Sequence, residues 1–208
     1  MRVAILGGTG SFGGALAKRL VDVGEDVVIG SRDAERASAA ADELGGPATG
    51  AANEDAVQGV DLAVLAVKAD GALDTARAVA DALADTPLLS VASLIEFRRG
   101  VGMLPDPDGR SLAERVQDVV RAPVAAGLHS IAAASLDDEP PDEDALVCGD
   151  DERAKELALE LAGKVVAGRA LDAGPLASAR ALEGLTAVIV NLNRRYKAHA
   201  GIRVTGVR

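Results

Sequence analysis

The chain has 208 residues and a formal net charge of −10 at pH 7, an acidic balance that argues against nucleic acid or an anionic membrane as a partner. Hydrophobic residues make up 49% and aromatic residues 1% of it, so we expect a globular protein with few rings on which bases could stack. One cysteine excludes a disulfide framework and a thiolate zinc cluster, and no metal site is expected. The lack of a signal-like or membrane-spanning run predicts a cytoplasmic location.

The first half of the chain alternates short apolar runs with amphipathic stretches, the pattern of a parallel sheet covered by helices. Strands are predicted over residues 3–6, 26–30, 61–67 and 87–91. Helices are predicted over residues 10–23 and 71–83, and a further helix, capped by Ser31 or Asp33, extends to residue 44. These elements predict an α/β fold of the Rossmann type, a doubly wound and mostly parallel sheet, in a nucleotide-binding domain over residues 1–123.

The second half loses this rhythm. A loop is expected over residues 96–110 and a solvated acidic connection over residues 137–144. Helices are predicted over residues 111–120, 151–161 and 175–196, and strands over residues 124–128, 146–148 and 169–172. We therefore expect a smaller, mainly helical (α+β) subdomain over residues 124–208.

A glycine-rich segment, Gly8-Thr9-Gly10-Ser11-Phe12-Gly13, lies between the first predicted strand and the first predicted helix. It matches G-x-G-x-x-G in the strand–turn–helix context that dinucleotide binding requires. The first glycine permits a tight turn, the second admits a pyrophosphate, and the third lets the helix pack on the strand, while the helix N-terminus offers free N–H groups. The segment predicts a dinucleotide site; the alternative is a turn that serves structure only.

The end of the second predicted strand indicates which dinucleotide binds. NAD sites usually place Asp or Glu there for the ribose 2′-hydroxyl, whereas this chain has Ser31 and Arg32, with Arg36 one helical turn later. Two guanidinium groups and a hydroxyl suit a 2′-phosphate. Asp33 is better placed as a helix cap than as a ribose ligand. NADP is therefore the expected cofactor; the alternative is that both arginines form a solvated helix face with Glu35.

No conventional catalytic constellation is present. The chain lacks Tyr-x-x-x-Lys, G-x-S-x-G and H-E-x-x-H motifs, and its only histidines are His129 and His199. His129 lies where a strand meets a loop and is a weak catalytic candidate, because a lone histidine at such a position is more often structural. Cys148 is expected in the core. Hydride transfer between two bound cofactors depends on orientation and requires no protein acid, so this absence is compatible with direct transfer.

Segments from both halves of the chain share the pattern of one known family. They are Gly7-Gly8-Thr9-Gly10, Val28-Ile29-Gly30-Ser31-Arg32, Gly127-Leu128-His129-Ser130-Ile131-Ala132-Ala133, Val147-Cys148-Gly149-Asp150-Asp151, Leu171-Asp172-Ala173-Gly174-Pro175-Leu176, Ala179-Arg180, Glu183, Leu185-Thr186, and Asn191-Leu192-Asn193-Arg194-Arg195-Tyr196-Lys197 leading to Ala200-Gly201-Ile202. In them the chain resembles the NADPH-dependent coenzyme F420 reductases (F420:NADP oxidoreductases). The segments of the second half are more specific than the glycine loop, which many dehydrogenases share.

The resemblance implies reversible hydride transfer between the nicotinamide C4 of NADP(H) and C5 of the deazaflavin, in a homodimer. By position, the resemblance implies Thr9, Gly10, Ser11 and Phe12 at the pyrophosphate of NADP(H). It implies Ser31, Arg32 and Arg36 at the 2′-phosphate. It implies Val67, Lys68 and Ala69, with Leu73 nearby, at the adenosine and the nicotinamide ribose. The resemblance places His129, Ile131 and Ala133 where the two ring systems stack. It places Ala200 close to the nicotinamide.

Three departures from the family pattern fall on the acceptor side: Lys68 stands where proline is common, and residues 128–134 and 89–94 each lack a proline. Two alternatives therefore remain open. One is an NADP-dependent small-molecule dehydrogenase with the same N-terminal fold, and the other is a non-catalytic NADP sensor, which the missing acid–base side chains would suit.

Overall fold

The computed structural model describes residues 1–105, 108–136 and 139–207, within which eight strands form one sheet, two form a separate hairpin, and seven α-helices pack around them. The strands of the sheet are β1 (Arg2–Leu6), β2 (Asp26–Ser31), β3 (Thr49–Ala52), β4 (Leu62–Leu65), β5 (Leu88–Ser90), β8 (Val124–Gly127), β9 (Ala145–Gly149) and β10 (Ala170–Asp172). The hairpin consists of β6 (Glu96–Arg98) and β7 (Val101–Met103). The helices are α1 (Ser11–Asp22), α2 (Ala34–Leu44), α3 (Asn53–Ala56), α4 (Ala69–Leu83), α5 (Leu112–Gln117), α6 (Glu152–Val165) and α7 (Ala179–Tyr196).

The sheet has the strand order β10-β9-β8-β5-β4-β1-β2-β3. β1 pairs in parallel with both β2 and β4, so the strand order reverses there. Among the described strands of the sheet, only β8 and β9 pair antiparallel. The predicted α/β architecture, a doubly wound and mostly parallel sheet, is therefore confirmed. In such sheets ligands bind outside the carboxyl ends of the strands, where the order reverses.

Helices cover both faces of the sheet. Successive strand residues point to opposite faces, and in β1 Ile5 packs in a cluster with residues of α1, α2 and α6. Its neighbour Leu6 packs in a second cluster with residues of α3, α4, α5 and α7. Because both faces are buried, the central strands are continuous apolar runs rather than alternating ones.

The second half of the chain extends the same sheet. β8 pairs directly with β5, and β9 and β10 continue outward from β8. α6 packs over this extension in the same cluster as α1. The division into a domain over residues 1–123 and a subdomain over residues 124–208 stays a prediction.

The prediction of a loop over residues 96–110 is wrong for the first part of this segment, which forms the β6–β7 hairpin. Its two-residue turn is Arg99-Gly100, with φ of 52° and 82°, the positive values of a type I′ turn. Asn191 of α7 holds the hairpin, because its side chain accepts from the Gly102 N–H at 2.8 Å and donates to the Gly102 carbonyl at 2.9 Å. Residues 106 and 107 lie outside the described part.

The acidic connection predicted over residues 137–144 is not solvated at its end. Glu143 is 4% exposed and Asp144 is 0% exposed. Asp144 accepts a hydrogen bond from the Arg169 side chain at 2.6 Å and one from the Val204 N–H at 2.8 Å, which fastens the C-terminal segment to the edge of the sheet. Residues 137 and 138 of this prediction lie outside the described residues.

Two smaller differences are a strand and a helix that were not predicted and a later start of the final helix. β3 and α3 were not predicted, because three of the four residues of Thr49–Ala52 are glycine or alanine, which are depleted in strands. The final helix begins at Ala179 rather than at residue 175, after a 3-10 turn over Leu176–Ser178.

None of the helices in the described ranges is long and apolar enough to cross a membrane. These ranges also hold no cluster of His, Cys, Asp and Glu suited to a metal ion.

Candidate functional site

Two neighbouring cavities lie at the carboxyl ends of the central strands. The first, the glycine-loop cleft, has a volume of about 980 Å³ and runs from the glycine loop along β2 to α3 and α4. The second, the adjacent pocket, has a volume of about 630 Å³ and lies beyond β5 and β8. Both are lined by the same five residues, which are Phe12, Ala66, Val67, Lys68 and Asp70. The two cavities therefore adjoin along this shared wall.

The glycine loop makes a tight turn at the mouth of the first cavity. Gly7 has a φ of 85°, and its carbonyl accepts from the Gly10 N–H at 2.9 Å. Gly10 is the N-cap of α1 and offers no side chain to cap it, so the N–H groups of the first turn stay open to an anion. Thr9, Gly10, Ser11 and Phe12 all line the cleft.

Gly8 and Gly13, also predicted as cofactor residues, do not line the cleft but allow its shape. A Cβ at Gly8 would lie 2.9 Å from the Ile29 side chain. A Cβ at Gly13 would overlap the carbonyl of Gly7. Gly8 therefore lets the turn lie close against β1 and β2, and Gly13 lets α1 pack on the loop, which is the role that the motif assigns to its third glycine.

At the end of β2, the predicted phosphate residues line the cleft together. The Ser31 hydroxyl accepts from the Asp33 N–H at 3.2 Å, and Asp33 accepts from the Arg36 N–H at 3.2 Å as the N-cap of α2. The prediction that Asp33 serves as a helix cap is confirmed. Arg32 and Arg36 are exposed and line the cleft, and within the described residues no acidic side chain pairs with either guanidinium.

Sequence reasoning missed one part of the cleft lining. Asn53 and Glu54, at the start of α3, also line the cleft. Asn53 is buried and its Oδ1 has no hydrogen-bond partner among the described residues. No signal pointed to them, since neither β3 nor α3 was expected.

The segment after β4 forms the boundary between the two cavities. Val67 and Lys68 line both of them, and Ala69 lines the adjacent pocket. Lys68 is exposed and occupies the N-cap position of the 15-residue helix α4. Leu73 lines neither cavity and packs against the core on its side of the sheet.

The adjacent pocket is closed by four parts of the chain. The family resemblance had indicated two of them, residues 89–94 and 128–134, but neither the hairpin nor α7. The pocket lining includes residues 91–95 after β5, Phe97 of the hairpin, Leu128, His129 and Ile131 after β8, and Thr186 of α7. Leu128 has a φ of 62°, a left-handed conformation that is strained for a bulky residue and often found at functional sites. This turn brings His129 into the pocket wall.

His129 is 5% exposed, and burial lowers the pKa of its imidazole to about 4. Neither ring nitrogen makes a hydrogen bond within the described residues, although the Ala92 carbonyl lies near enough to raise the pKa slightly. The ring is therefore neutral at pH 7, with one nitrogen able to donate and the other able to accept.

Thr186 connects the walls of the pocket. Its hydroxyl donates to the His129 carbonyl at 2.7 Å, and it lies 2.8 Å from the Ser93 hydroxyl. Because the single hydroxyl hydrogen of Thr186 goes to His129, Ser93 is the donor in the second bond. Thr186 was noted in the sequence only as part of a resembling segment, and no local pattern marked it as a pocket residue.

Two further predicted residues lie outside both cavities. Ala133 lies in a 3-10 turn over Ala133–Ser135 and packs against the core. Ala200 follows α7, and its N–H donates to the Asn193 side chain at 2.6 Å. Their predicted proximity to the ring systems stays a prediction.

The residues present fit the two expected groups. The open N–H groups of the first turn of α1, the Ser31 hydroxyl and two exposed guanidiniums suit the phosphates of NADP. The adjacent pocket is lined mainly by apolar side chains and holds a buried imidazole without a partner, as suits a flat ring that needs few polar contacts. Fold and site thus define an NADP-dependent oxidoreductase of the Rossmann class.

Comparison with known proteins specifies the family. Residues 2–93 match the family model of "NADP oxidoreductase coenzyme F420-dependent" proteins. The chain is 38% identical over 222 residues to an F420-dependent NADP reductase of Methanothermobacter thermautotrophicus, covering 100% of this chain and 96% of the relative. It is 33% identical over 225 residues to the F420-dependent NADP reductase of Methanocaldococcus jannaschii, covering 100% and 99%. The crystal structure of a proposed F420-dependent NADP reductase from Arthrobacter sp. FB24 superposes with a TM-score of 0.83 at 28% identity, covering 100% of both chains.

The chain therefore belongs to the family of F420-dependent NADP reductases. The resemblance noted in the sequence is confirmed, and so is the expectation of an enzyme of the oxidoreductase class.

Proposed function

We propose that this protein transfers a hydride reversibly between NADP(H) and coenzyme F420, with NADP(H) in the glycine-loop cleft and the deazaflavin ring in the adjacent pocket. The observation that carries this arrangement is the shared lining of the two cavities at Phe12, Val67 and Lys68. Hydride transfer requires the donor and acceptor carbons to approach closely, and two cavities that share a wall suit that approach. The full-length relatives, named as F420-dependent NADP reductases, support the choice of acceptor.

In this proposal, the chain itself binds and orients the two groups. The first turn of α1 holds the pyrophosphate, and Ser31, Arg32 and Arg36 hold the 2′-phosphate. Val67 and Lys68 line both cavities and therefore form the boundary at which the two bound rings meet. The bound nicotinamide and deazaflavin rings supply the hydride donor and acceptor, so the reaction requires no acid–base side chain.

The pocket wall contributes orientation and exclusion of water. Thr186, Ser93 and His129 are joined by hydrogen bonds, which keep two segments from different strands in one position. The imidazole of His129 is neutral at pH 7 and brings no charge into the pocket wall. Because both of its ring nitrogens are buried, His129 shapes the wall in this account and does not transfer a proton.

Incubation of the purified protein with NADPH and coenzyme F420, followed at the deazaflavin absorption band, tests the proposal. We expect loss of the oxidised deazaflavin signal with saturation in both substrates. Tight NADPH binding without any transfer would favour the NADP sensor. Turnover of an imine or carbonyl substrate in place of F420 would favour the small-molecule dehydrogenase.

We also propose a cytoplasmic homodimer. α7 exposes Val188, Leu192 and Tyr196 at intervals of four residues, and the hairpin exposes Phe97 and Val101. Side chains spaced in this way lie on one face of a helix, and contiguous exposed apolar surface commonly marks an interface. Analytical ultracentrifugation should give twice the mass of the chain. A Leu192→Glu variant should be monomeric, and a wild-type protein that sediments as a monomer would contradict the proposal.

A further inference from the structure

Asn53 carries a buried side-chain amide that the contacts proposed so far for NADP(H) do not use. It is the first residue of α3, directly after β3, and is 5% exposed. Its Oδ1 is enclosed and has no hydrogen-bond partner among the described residues. Burying an amide without partners costs free energy that an apolar side chain would not cost. An amide at this position therefore needs a partner that the folded chain alone does not supply.

The folding of α3 does not account for this amide. The N-cap of α3 is Ala52, one residue earlier, and its side chain makes no capping hydrogen bond. A capping side chain accepts from an N–H group two or three residues later, and Asn53 Oδ1 accepts no such bond. Within the described ranges, the Asn53 side chain takes part in no hydrogen bond to any other segment either. Its polar atoms consequently fasten nothing in the fold.

Gly30 in β2 determines which end of the amide is left for a ligand. A Cβ at Gly30 would lie 2.9 Å from Asn53 Oδ1, so the glycine leaves room for the oxygen. The oxygen faces the Cα–H of Gly30, which is only a weak donor. The amide nitrogen is the opposite end of the group and, unlike the oxygen, is not fully enclosed. Because Asn53 lines the glycine-loop cleft, this nitrogen is the atom that can donate to a ligand there.

Asn53 follows the strand residue that pairs with the end of β2. β2 and β3 are parallel, with Ser31 opposite Ala52, and Asn53 is the next residue. Ser31, Arg32 and Arg36 line the same cleft and are the residues proposed for the 2′-phosphate. That phosphate is attached to the adenosine ribose, which binds at the end of β2 in dinucleotide folds. The neutral polar group of this ribose in NADP(H) is its free 3′-hydroxyl.

We propose that Asn53 is a nucleotide-binding residue whose amide donates a hydrogen bond to the 3′-hydroxyl of the adenosine ribose. The assignment rests on the function proposed above in one respect, the position of NADP(H) in the glycine-loop cleft, and not on the identity of the hydride acceptor. A hydroxyl oxygen accepts from a neutral amide, whereas a phosphate pairs better with a guanidinium. Asn53 thus recognises a part that NADPH and NADH share, and Arg32 and Arg36 recognise the part that only NADPH carries.

Titration of the purified protein with NADPH and with NADH, followed by nucleotide fluorescence, tests this assignment. Asn53→Ala removes the amide and keeps a residue that favours helix at the start of α3. We expect the Kd of both nucleotides to increase roughly tenfold, which is the loss of about one hydrogen bond. The ratio of the two Kd values should stay as in the wild type. Replacement of Arg32 and Arg36 should instead weaken NADPH alone.

The stability of the nucleotide-free protein distinguishes binding from a structural role. Since the amide has no partner in the folded chain alone, Asn53→Ala should change the Tm without nucleotide by less than about 2 °C. Saturating NADPH should raise the Tm of the variant less than that of the wild type at the same concentration, because a ligand stabilises in proportion to its affinity. Thermal unfolding with and without NADPH measures both effects.

Gln117→Ala is the matched control, because Gln117 carries the same amide group but uses it within the fold. Its Nε2 donates to the carbonyls of Val120 and Ala122, and its Oε1 accepts from the Val124 N–H at 2.9 Å. Gln117 lines neither cavity. This variant should lower the Tm of the nucleotide-free protein by about 5 °C and leave the Kd of both nucleotides unchanged.

Unchanged affinity of Asn53→Ala for both nucleotides would overturn the proposal. A loss confined to NADPH would overturn it as well, since the amide would then contact the 2′-phosphate. So would a fall in the Tm of the nucleotide-free variant as large as that of Gln117→Ala, because it would show a structural role. A wild type that binds both nucleotides as expected but does not reduce F420 would refute the proposed hydride transfer and leave the role of Asn53 in place.

Discussion

Thr186 on α7 donates its hydroxyl to the carbonyl of His129, 57 positions earlier in the chain, at 2.7 Å. The same hydroxyl oxygen accepts from Ser93, so one side chain joins the segments that follow β5 and β8. Hydrogen bonds between such distant segments hold the pocket wall together, and removing the hydroxyl should loosen both segments at once.

A Thr186→Val substitution keeps the shape of the side chain and removes its hydroxyl. The His129 carbonyl and the half-buried Ser93 hydroxyl then lose a hydrogen bond, which should cost about 1–3 kcal/mol in the free energy of unfolding and weaken deazaflavin binding more than NADPH binding. Urea unfolding and steady-state kinetics measure the two effects. Thr186→Ser, which restores the hydroxyl, is the control, and equal behaviour of the Val and Ser variants would contradict this role.

Replacing Arg32 and Arg36 by alanine tests the assignment of the 2′-phosphate site. Charge-assisted hydrogen bonds contribute about 1.5–3 kcal/mol each, so the double variant should bind NADPH at least ~100-fold more weakly. Binding of NADH, which lacks the phosphate, should change little. Fluorescence titration with both nucleotides measures the difference.

Arg153 on the exposed surface of α6 provides a control for the loss of positive charge. Arg153→Ala should leave both affinities unchanged. An equal loss of NADPH and NADH binding in the Arg32/Arg36 double variant would refute the phosphate assignment.

The low pKa of His129 predicts a kinetic result. Its imidazole is neutral above about pH 4, so kcat between pH 5 and pH 9 should show no inflection from this group. His129→Ala should fold and lose less than about 10²-fold in kcat, because general acid–base catalysis usually contributes 10²–10⁴-fold. A larger loss, together with an inflection that disappears in the variant, would mean that His129 transfers a proton.

Glu143 predicts a dependence of stability on pH. Burial raises its pKa from the ordinary 4.5 to about 7 in the folded protein, so the folded state holds a proton that the unfolded state releases between these values. Its contribution to stability therefore falls as the pH rises from about 4.5 to 7. Glu143→Gln should flatten this slope and be more stable than the wild type at pH 8.

Thermal unfolding at pH 5.5 and pH 8 measures this effect of Glu143. A residual slope from Glu183, whose pKa is also raised to about 7, should remain in the variant. An unchanged difference between the two pH values would show that Glu143 does not titrate in this range.

The nucleotide half of the site could be predicted because its signals are local. A G-x-G-x-x-G segment between a strand and a helix, and arginines directly after the second strand, lie within about 30 residues of one another. The parallel sheet then brings the ends of neighbouring strands together by topology alone. Thr9, Ser11 and Arg32 consequently line the same cleft, as their positions indicated.

The elements that were missed had unusual sequences for physical reasons. Gly50 stands in β3 because a Cβ there would overlap the backbone of Ala37 in α2, so this strand has a glycine where a strand-forming residue is usual. The β6–β7 hairpin turns at Arg99-Gly100 instead of at the Asn-Gly or Asp-Gly pair that usually marks a type I′ turn.

The acceptor side could not be predicted from local pattern. Ser93, His129 and Thr186 meet only through the packing of α7 on the ends of β5 and β8, and nothing in the residues near each one indicates the other two. There, only the family resemblance pointed to the deazaflavin, and the curated relatives support it.

Transfer of a labelled hydride tests the central claim most directly. NADPH carrying deuterium at the transferred position of C4 is incubated with the protein and oxidised F420, and the reduced deazaflavin is examined by mass spectrometry. Direct transfer predicts one deuterium on the carbon C5 of the product, where it does not exchange with water. Reduced F420 without deuterium, or no reduction while NADPH remains bound, would contradict the account.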